Sequence, residues 1–121
     1  MEVRKSRSYR DLEVWKLAIT FVKDIYLATE KFPSLENYGL THQIRKAVIS
    51  IPSNIAEGQF RESVREFRQF LSIALGSAAE IETQLIISRE IGYLSSEQFR
   101  FLTSTLERII QMLKKLRLSL K

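Results

Sequence analysis

Only four glycines and two prolines interrupt a chain of 121 residues, so the backbone has few places to turn. Between them the apolar residues recur every three or four positions, the period of a helix buried on one side. Long helical periods with few breakers make an all-α protein. The densest pattern runs from Gln43 to Arg61, where Ile44, Ala47, Val48, Ile51 and Ile55 share one helical face. Pro52 stands inside it. Proline lacks a backbone donor and its ring crowds the carbonyl four residues back, so the spacing predicts a kink or restart there. Gly58 then offers a left-handed stop before the next helix.

Three more helices flank this one. From Tyr9 or Arg10 to Lys31, the positions Leu12, Trp15, Ala18, Ile19, Val22, Ile25 and Tyr26 keep helical spacing. A second set, with Val14, Leu17 and Phe21, widens that face beyond the roughly 100° stripe a surface helix needs. These three are therefore expected at an interface between subunits. Phe32-Pro33 ends the helix, because the residue before proline avoids helical angles. The second helix runs from about Leu40 to Glu57. The third and longest runs from about Glu62 to Ile91 on Val64, Phe67, Leu71, Ala74, Ala78, Ile81 and Leu85. Gly76 in its middle costs about 1 kcal/mol relative to alanine, which predicts that something packs tightly against it.

Gly92 supplies the next C-cap. Ser95 with Gln98 forms a capping box, and Leu94 with Phe99 a hydrophobic staple. The fourth helix, about 96–119, follows. Residues 9–121 are thus expected to form one antiparallel up-down-up-down four-helix bundle, kinked at Pro52, behind a flexible basic arm at 1–8.

No cysteine is present, which excludes disulfide scaffolds and thiol chemistry and fits a reducing, cytoplasmic setting. The first ten residues lack the apolar centre of a secretory signal. No uninterrupted apolar run approaches the roughly 20 residues of a membrane span, so no membrane partner is expected.

The net charge of +5 is unevenly placed. Arg4, Lys5, Arg7 and Arg10 against Glu2 give the first ten residues +3, and Arg108, Lys114, Lys115, Arg117 and Lys121 give the last fourteen +5. In an up-down-up-down bundle these two segments share a pole with Arg61, Arg65 and Arg68. Cations at the end of the fourth helix complement its dipole, but cations at the start of the third are mildly unfavourable. Helix stability does not ask for them there. A polyanion-facing surface does. The bland counterpart is a solvated face, with Glu62 and Glu66 pairing with the arginines.

Chemistry is harder to find. His42 is the only histidine and has no matched carboxylate or nucleophile,. Glu57, Glu80, Glu82 and Glu90 lack the Glu-x-x-His pairs of a bundle metal site. Glu80 is expected to be partly buried against Arg45 or Ser77. No enzyme activity, metal or cofactor is expected.

Three stretches resemble a known family. Tyr9-Arg10-Asp11-Leu12-Glu13-Val14-Trp15-Lys16-Leu17-Ala18, then Gln43-Ile44-Arg45-Lys46-Ala47, then Ser50-Ile51-Pro52-Ser53-Asn54-Ile55-Ala56-Glu57-Gly58 resemble the proteins encoded by intervening sequences of bacterial 23S ribosomal RNA genes. The resemblance covers nearly all of residues 9–118. It implies a four-helix bundle that assembles as a homopentamer, with no established enzymatic activity. The fold is also similar to the accessory variability determinant of diversity-generating retroelements, a basic pentamer that associates with nucleic acid.

The resulting expectation is a non-catalytic oligomer that grips structured RNA or DNA through Arg4, Lys5, Arg7, Arg10, Arg61, Arg65, Arg68, Lys114, Lys115 and Arg117. Phosphate contacts of this kind position a nucleic acid without reading its sequence. The alternative is a protein-interaction scaffold with no nucleic-acid ligand.

Overall fold

The computed structural model describes residues 8–121. Its four helices are α1 (Glu13–Thr29), α2 (Leu40–Phe60), α3 (Val64–Glu90) and α4 (Ser96–Ser119), with short 3-10 turns at Tyr9–Asp11 and Ser34–Glu36. Among the described residues there is no strand. The arm expected at 1–8, with Arg4, Lys5 and Arg7, lies outside the described residues except for Ser8.

Each helix packs on two neighbours: α1 on α2 and α4, and α3 on α2 and α4. Two of these pairs show their direction. Ser50 meets Ser77 at 2.8 Å while Gly58 lies against Phe67 and Phe70, so α2 and α3 run in opposite senses. Arg89 reaches Leu94 O near the α3–α4 connection and Arg117 reaches Ser72 far from it, so α3 and α4 do the same. Between the four helices lie Phe21, Ile25, Ile44, Ile51, Ile55, Leu71, Ile81, Leu85, Leu106, Ile109 and Leu113, all at most 1% exposed.

The helix boundaries follow local chemistry. The Ser8 hydroxyl accepts from Arg10 N (3.1 Å) and the Asp11 carboxylate from Ser8 N (3.3 Å). That closes a tight turn, after which Leu12 is extended, so α1 starts at Glu13 and not at Tyr9. At the other end of the bundle Gly92 has φ 86°, and Ser95 and Gln98 exchange both bonds of the capping box (3.0 and 3.1 Å). Leu94 is buried and Phe99 half-buried against the core, as a staple requires,.

Pro52 does not restart α2, which is continuous from Leu40 to Phe60. Gly58 does not stop it either. A Cβ at Gly58 would lie 2.7 Å from Phe70 Cβ and 3.0 Å from Phe67 Cδ1. The glycine is there so that α3 can approach, and the left-handed residue of this connection is Glu62, at φ 60°. Ser63 then caps α3 by accepting from Glu66 N at 3.2 Å.

Two further expectations are corrected. Val14 and Phe21 are 4% and 0% exposed inside the chain's own core, and Leu17 is half-buried against it. Val14 and Phe21 therefore have no free surface for a subunit interface, whereas Leu17 keeps part of its surface exposed. α1 lies between two helices, α2 and α4, and its wide apolar face is divided between them. Gly76 meets nothing within 4 Å and is exposed. It sits on an outer face of α3 with Ile73 (47% exposed) and Ile87 (44%).

By length and composition α3 is also apolar enough to cross a membrane: its best 18-residue window has a mean hydropathy of 1.4, of which 39% is buried. The core helix of a packed bundle meets the same criterion. Here the apolar content divides between an inner face in the core and an outer face that this chain leaves exposed.

Candidate nucleic-acid interface

The cations expected to form the site differ in what already holds them. Arg61, just past the end of α2, is committed within the chain. Its guanidinium lies 3.0 Å from Glu57, 3.5 Å from Glu66 and over the Phe70 ring at 5.2 Å. The hydrogen bond it donates to Glu57 raises its pKa above the usual arginine value; desolvation, next in size, opposes this, and the charges of Glu57 and Glu66 add to the rise. The pairing anticipated for the start of α3 thus exists, but it is gathered on one residue. Glu66 sits with Arg61, which leaves Arg65 and Arg68 exposed with no carboxylate in ion-pair reach among the described residues.

The fourth helix joins them at a defined point. Ser72 Oγ donates to Arg68 O at 3.2 Å and accepts from Arg117 Nη1 at 3.0 Å. Arg117 of α4 is thereby tied to α3 at Ser72, one turn beyond Arg68, whose backbone carbonyl is the serine's other partner. Lys114 and Lys115 are exposed on the last two turns of α4, where they complement its dipole,. Arg10 is exposed in the 3-10 turn, which packs on α2. Phe60, 78% exposed, projects beside Arg61. Together these residues can hold phosphates and offer one ring to a base.

Glu57 pairs with Arg61, whereas Glu80, Glu82 and Glu90 are exposed. Glu80 is not buried against Arg45 or Ser77, as was expected. Ser77 bonds Ser50, and Arg45 bonds Thr29 Oγ1 (2.9 Å) and Tyr26 O (3.3 Å). Among the described residues no group of three His, Asp or Glu side chains could hold a metal.

Sequence reasoning missed two arrangements. The Tyr93 phenol donates to Glu36 at 2.9 Å, fifty-seven residues away, and no local spacing signals that pair. His42, Arg45 and Lys46 line a cleft with Tyr26, and the position of Arg45 one turn before Ile49 was the available hint.

The class is thus an all-helical four-helix bundle with a basic, largely unpaired patch spanning α3 and α4. The sequence profile of the 23S rRNA-intervening sequence protein family matches residues 10–115, and the chain belongs to that family. A solved structure described as a protein of unknown function from the S23 ribosomal protein family of Bacteroides thetaiotaomicron has the same fold. It superposes with a TM-score of 0.78 at 24% identity, over 86% of this chain and 94% of that one. No curated protein matches the sequence.

Proposed function

We propose that this chain is a non-catalytic, self-associating protein that binds structured RNA or DNA by its phosphates. The observation that carries the reading is the bond from Arg117 of α4 to Ser72 of α3, which brings a cation without a carboxylate partner among the described residues to the turn that follows the exposed Arg68. Arg65, Lys114 and Lys115 extend the patch, and Arg61 contributes less because Glu57 and Glu66 already neutralise it. Supporting self-association, Ile73, Gly76, Glu80, Thr83 and Ile87 alternate three and four residues apart on the outer face of α3, the spacing of a helix–helix seam. In this reading the outer face takes the place of Val14 and Phe21 as the interface, in a ring of five subunits, the number the family resemblance implies. A ring would repeat the basic patch and multiply its field. That same outer face favours the second reading, a scaffold for another protein.

The test is a titration of a fluorescent RNA hairpin at two salt concentrations, after the mass of the protein in solution has been measured by sedimentation. Reversing Arg68→Glu and Arg117→Glu together should weaken binding by more than about tenfold. The slope of log affinity against log salt should become shallower by about 2, roughly one unit per lost phosphate contact. An affinity that the double reversal leaves unchanged would overturn the reading and turn attention to a protein partner.

A further inference from the structure

A second concentration of positive charge lies toward the other end of α2, about 22 Å along the helix from Arg61 if measured from Lys46. There a cleft of about 590 Å³ opens between α1 and α2 beside Tyr26, Thr41, His42, Arg45, Lys46 and Ile49, with Asn37 at its rim. Part of this arrangement serves the fold. Arg45 packs its guanidinium on the Tyr26 ring at 4.4 Å and donates to Tyr26 O and Thr29 Oγ1, which completes the C-terminal end of α1. Those bonds use Nε and Nη2. Nη1 has no partner among the described residues, and no carboxylate pairs with Arg45, Lys46 or His42 there.

A need of the fold does not explain Thr41. It is 5% exposed, yet its hydroxyl has no hydrogen-bond partner. Leaving a buried hydroxyl unpaired costs free energy that valine of the same shape would not. Glu36, an acid close to this end of α2, is already engaged: one oxygen accepts from Leu40 N at 3.0 Å and the other from the Tyr93 phenol at 2.9 Å.

We propose that the cleft binds a phosphate monoester, held by Lys46, His42, the free edge of Arg45 and the hydroxyl of Thr41. The donor set matches that chemistry. A terminal phosphate presents three strong acceptor oxygens and close to two charges. An ammonium, an imidazole, a guanidinium edge, a hydroxyl and the Asn37 amide offer more donors than a carboxylate could accept. The cleft is also larger than a bare anion requires, and Tyr26 and Ile49 give it apolar wall for the body of a nucleotide. Two sources share this chemistry: a free mononucleotide and the 5′-phosphate end of a nucleic-acid strand. The site stands apart from the α3–α4 patch, so either can fail alone.

The experiment is an amide NMR titration of the whole chain with adenosine 5′-monophosphate, with adenosine as the control lacking phosphate. The monophosphate should move the resonances of Thr41, His42, Lys46 and Ile49, and adenosine should not. Lys46→Glu, at an exposed position, and Thr41→Val, which keeps the shape, should each weaken binding at least about tenfold, the loss of a charge-assisted or buried hydrogen bond. Matched 5′-phosphorylated and 5′-hydroxyl oligonucleotides then separate the sources. Monophosphate binding equal to that of the phosphorylated strand assigns a free nucleotide, and binding of the phosphorylated strand alone assigns a strand end. No shift at these residues with any phosphorylated probe, or equal binding by both variants, would overturn the proposal.

Discussion

The same substitution at two helical glycines should have opposite effects. Gly58 and Gly76 both lie inside long helices, and replacing a helical glycine with alanine gains about 1 kcal/mol of backbone propensity. At Gly76 nothing in the same chain lies within 4 Å of the added methyl group, so Gly76→Ala should stabilise the dissociated chain by about that amount,. At Gly58 the methyl group would meet Phe70 Cβ at 2.7 Å and Phe67 Cδ1 at 3.0 Å. The Phe70 atom is anchored to its backbone and cannot swing aside, so α3 itself must shift away from α2. Overpacking of this kind costs typically about 1–3 kcal/mol. With the backbone of a neighbouring helix displaced, the upper part of that range applies, and the net loss for Gly58→Ala should be about 1–2 kcal/mol. For a chain of this size each kcal/mol moves Tm by about 3–6 °C. Urea denaturation of both variants at several protein concentrations, analysed by linear extrapolation, measures the difference. A Gly58→Ala protein as stable as the parent would refute the close-approach account of this glycine. A Gly76→Ala protein that loses stability, more so at high concentration, would mean that a second copy packs where this chain leaves space.

Other outcomes follow from single contacts. Ser95→Ala removes the hydroxyl that accepts from Gln98 N at 3.1 Å and should cost about 1 kcal/mol in the same urea assay,. In Tyr93, the hydrogen bond to Glu36, then burial, then the Glu36 charge raise the phenol pKa above its ordinary value of 10.0. The folded state thus holds this proton more tightly than the unfolded chain does. The associated stability is complete below about pH 10 and is lost as pH rises through the folded-state pKa. Tyr93→Phe should flatten that alkaline loss in a stability–pH profile, and an unchanged profile would show that the contact does not form in solution.

Much of this fold is written in local sequence. Helical period, the Ser95–Gln98 box and the Gly92 C-cap are decided by residues within four positions of one another, and they place α4 at Ser96–Ser119. Helix–breaker chemistry was less decisive, because its outcome depends on neighbours distant in the chain. Gly58 could have ended α2 by turning left-handed, but the approach of Phe67 and Phe70 keeps it helical, and Glu62 takes the turn instead. The width of the α1 apolar face could have meant another subunit. Packing against both α2 and α4 accounts for it within one chain.

The charged surface divides in the same way. Sequence alone determined which residues carry charge and that the basic ones gather near the ends of helices. Only the tertiary structure decided which of them remain unpaired. Arg61 is captured by Glu57 and Glu66, whereas Arg117 reaches Ser72 across forty-five residues of chain, and Arg45 turns inward onto Tyr26. The physical reason is range: helix period and capping act over a few residues, but the partner of a charge is set by whatever the packed helices bring within about 4 Å.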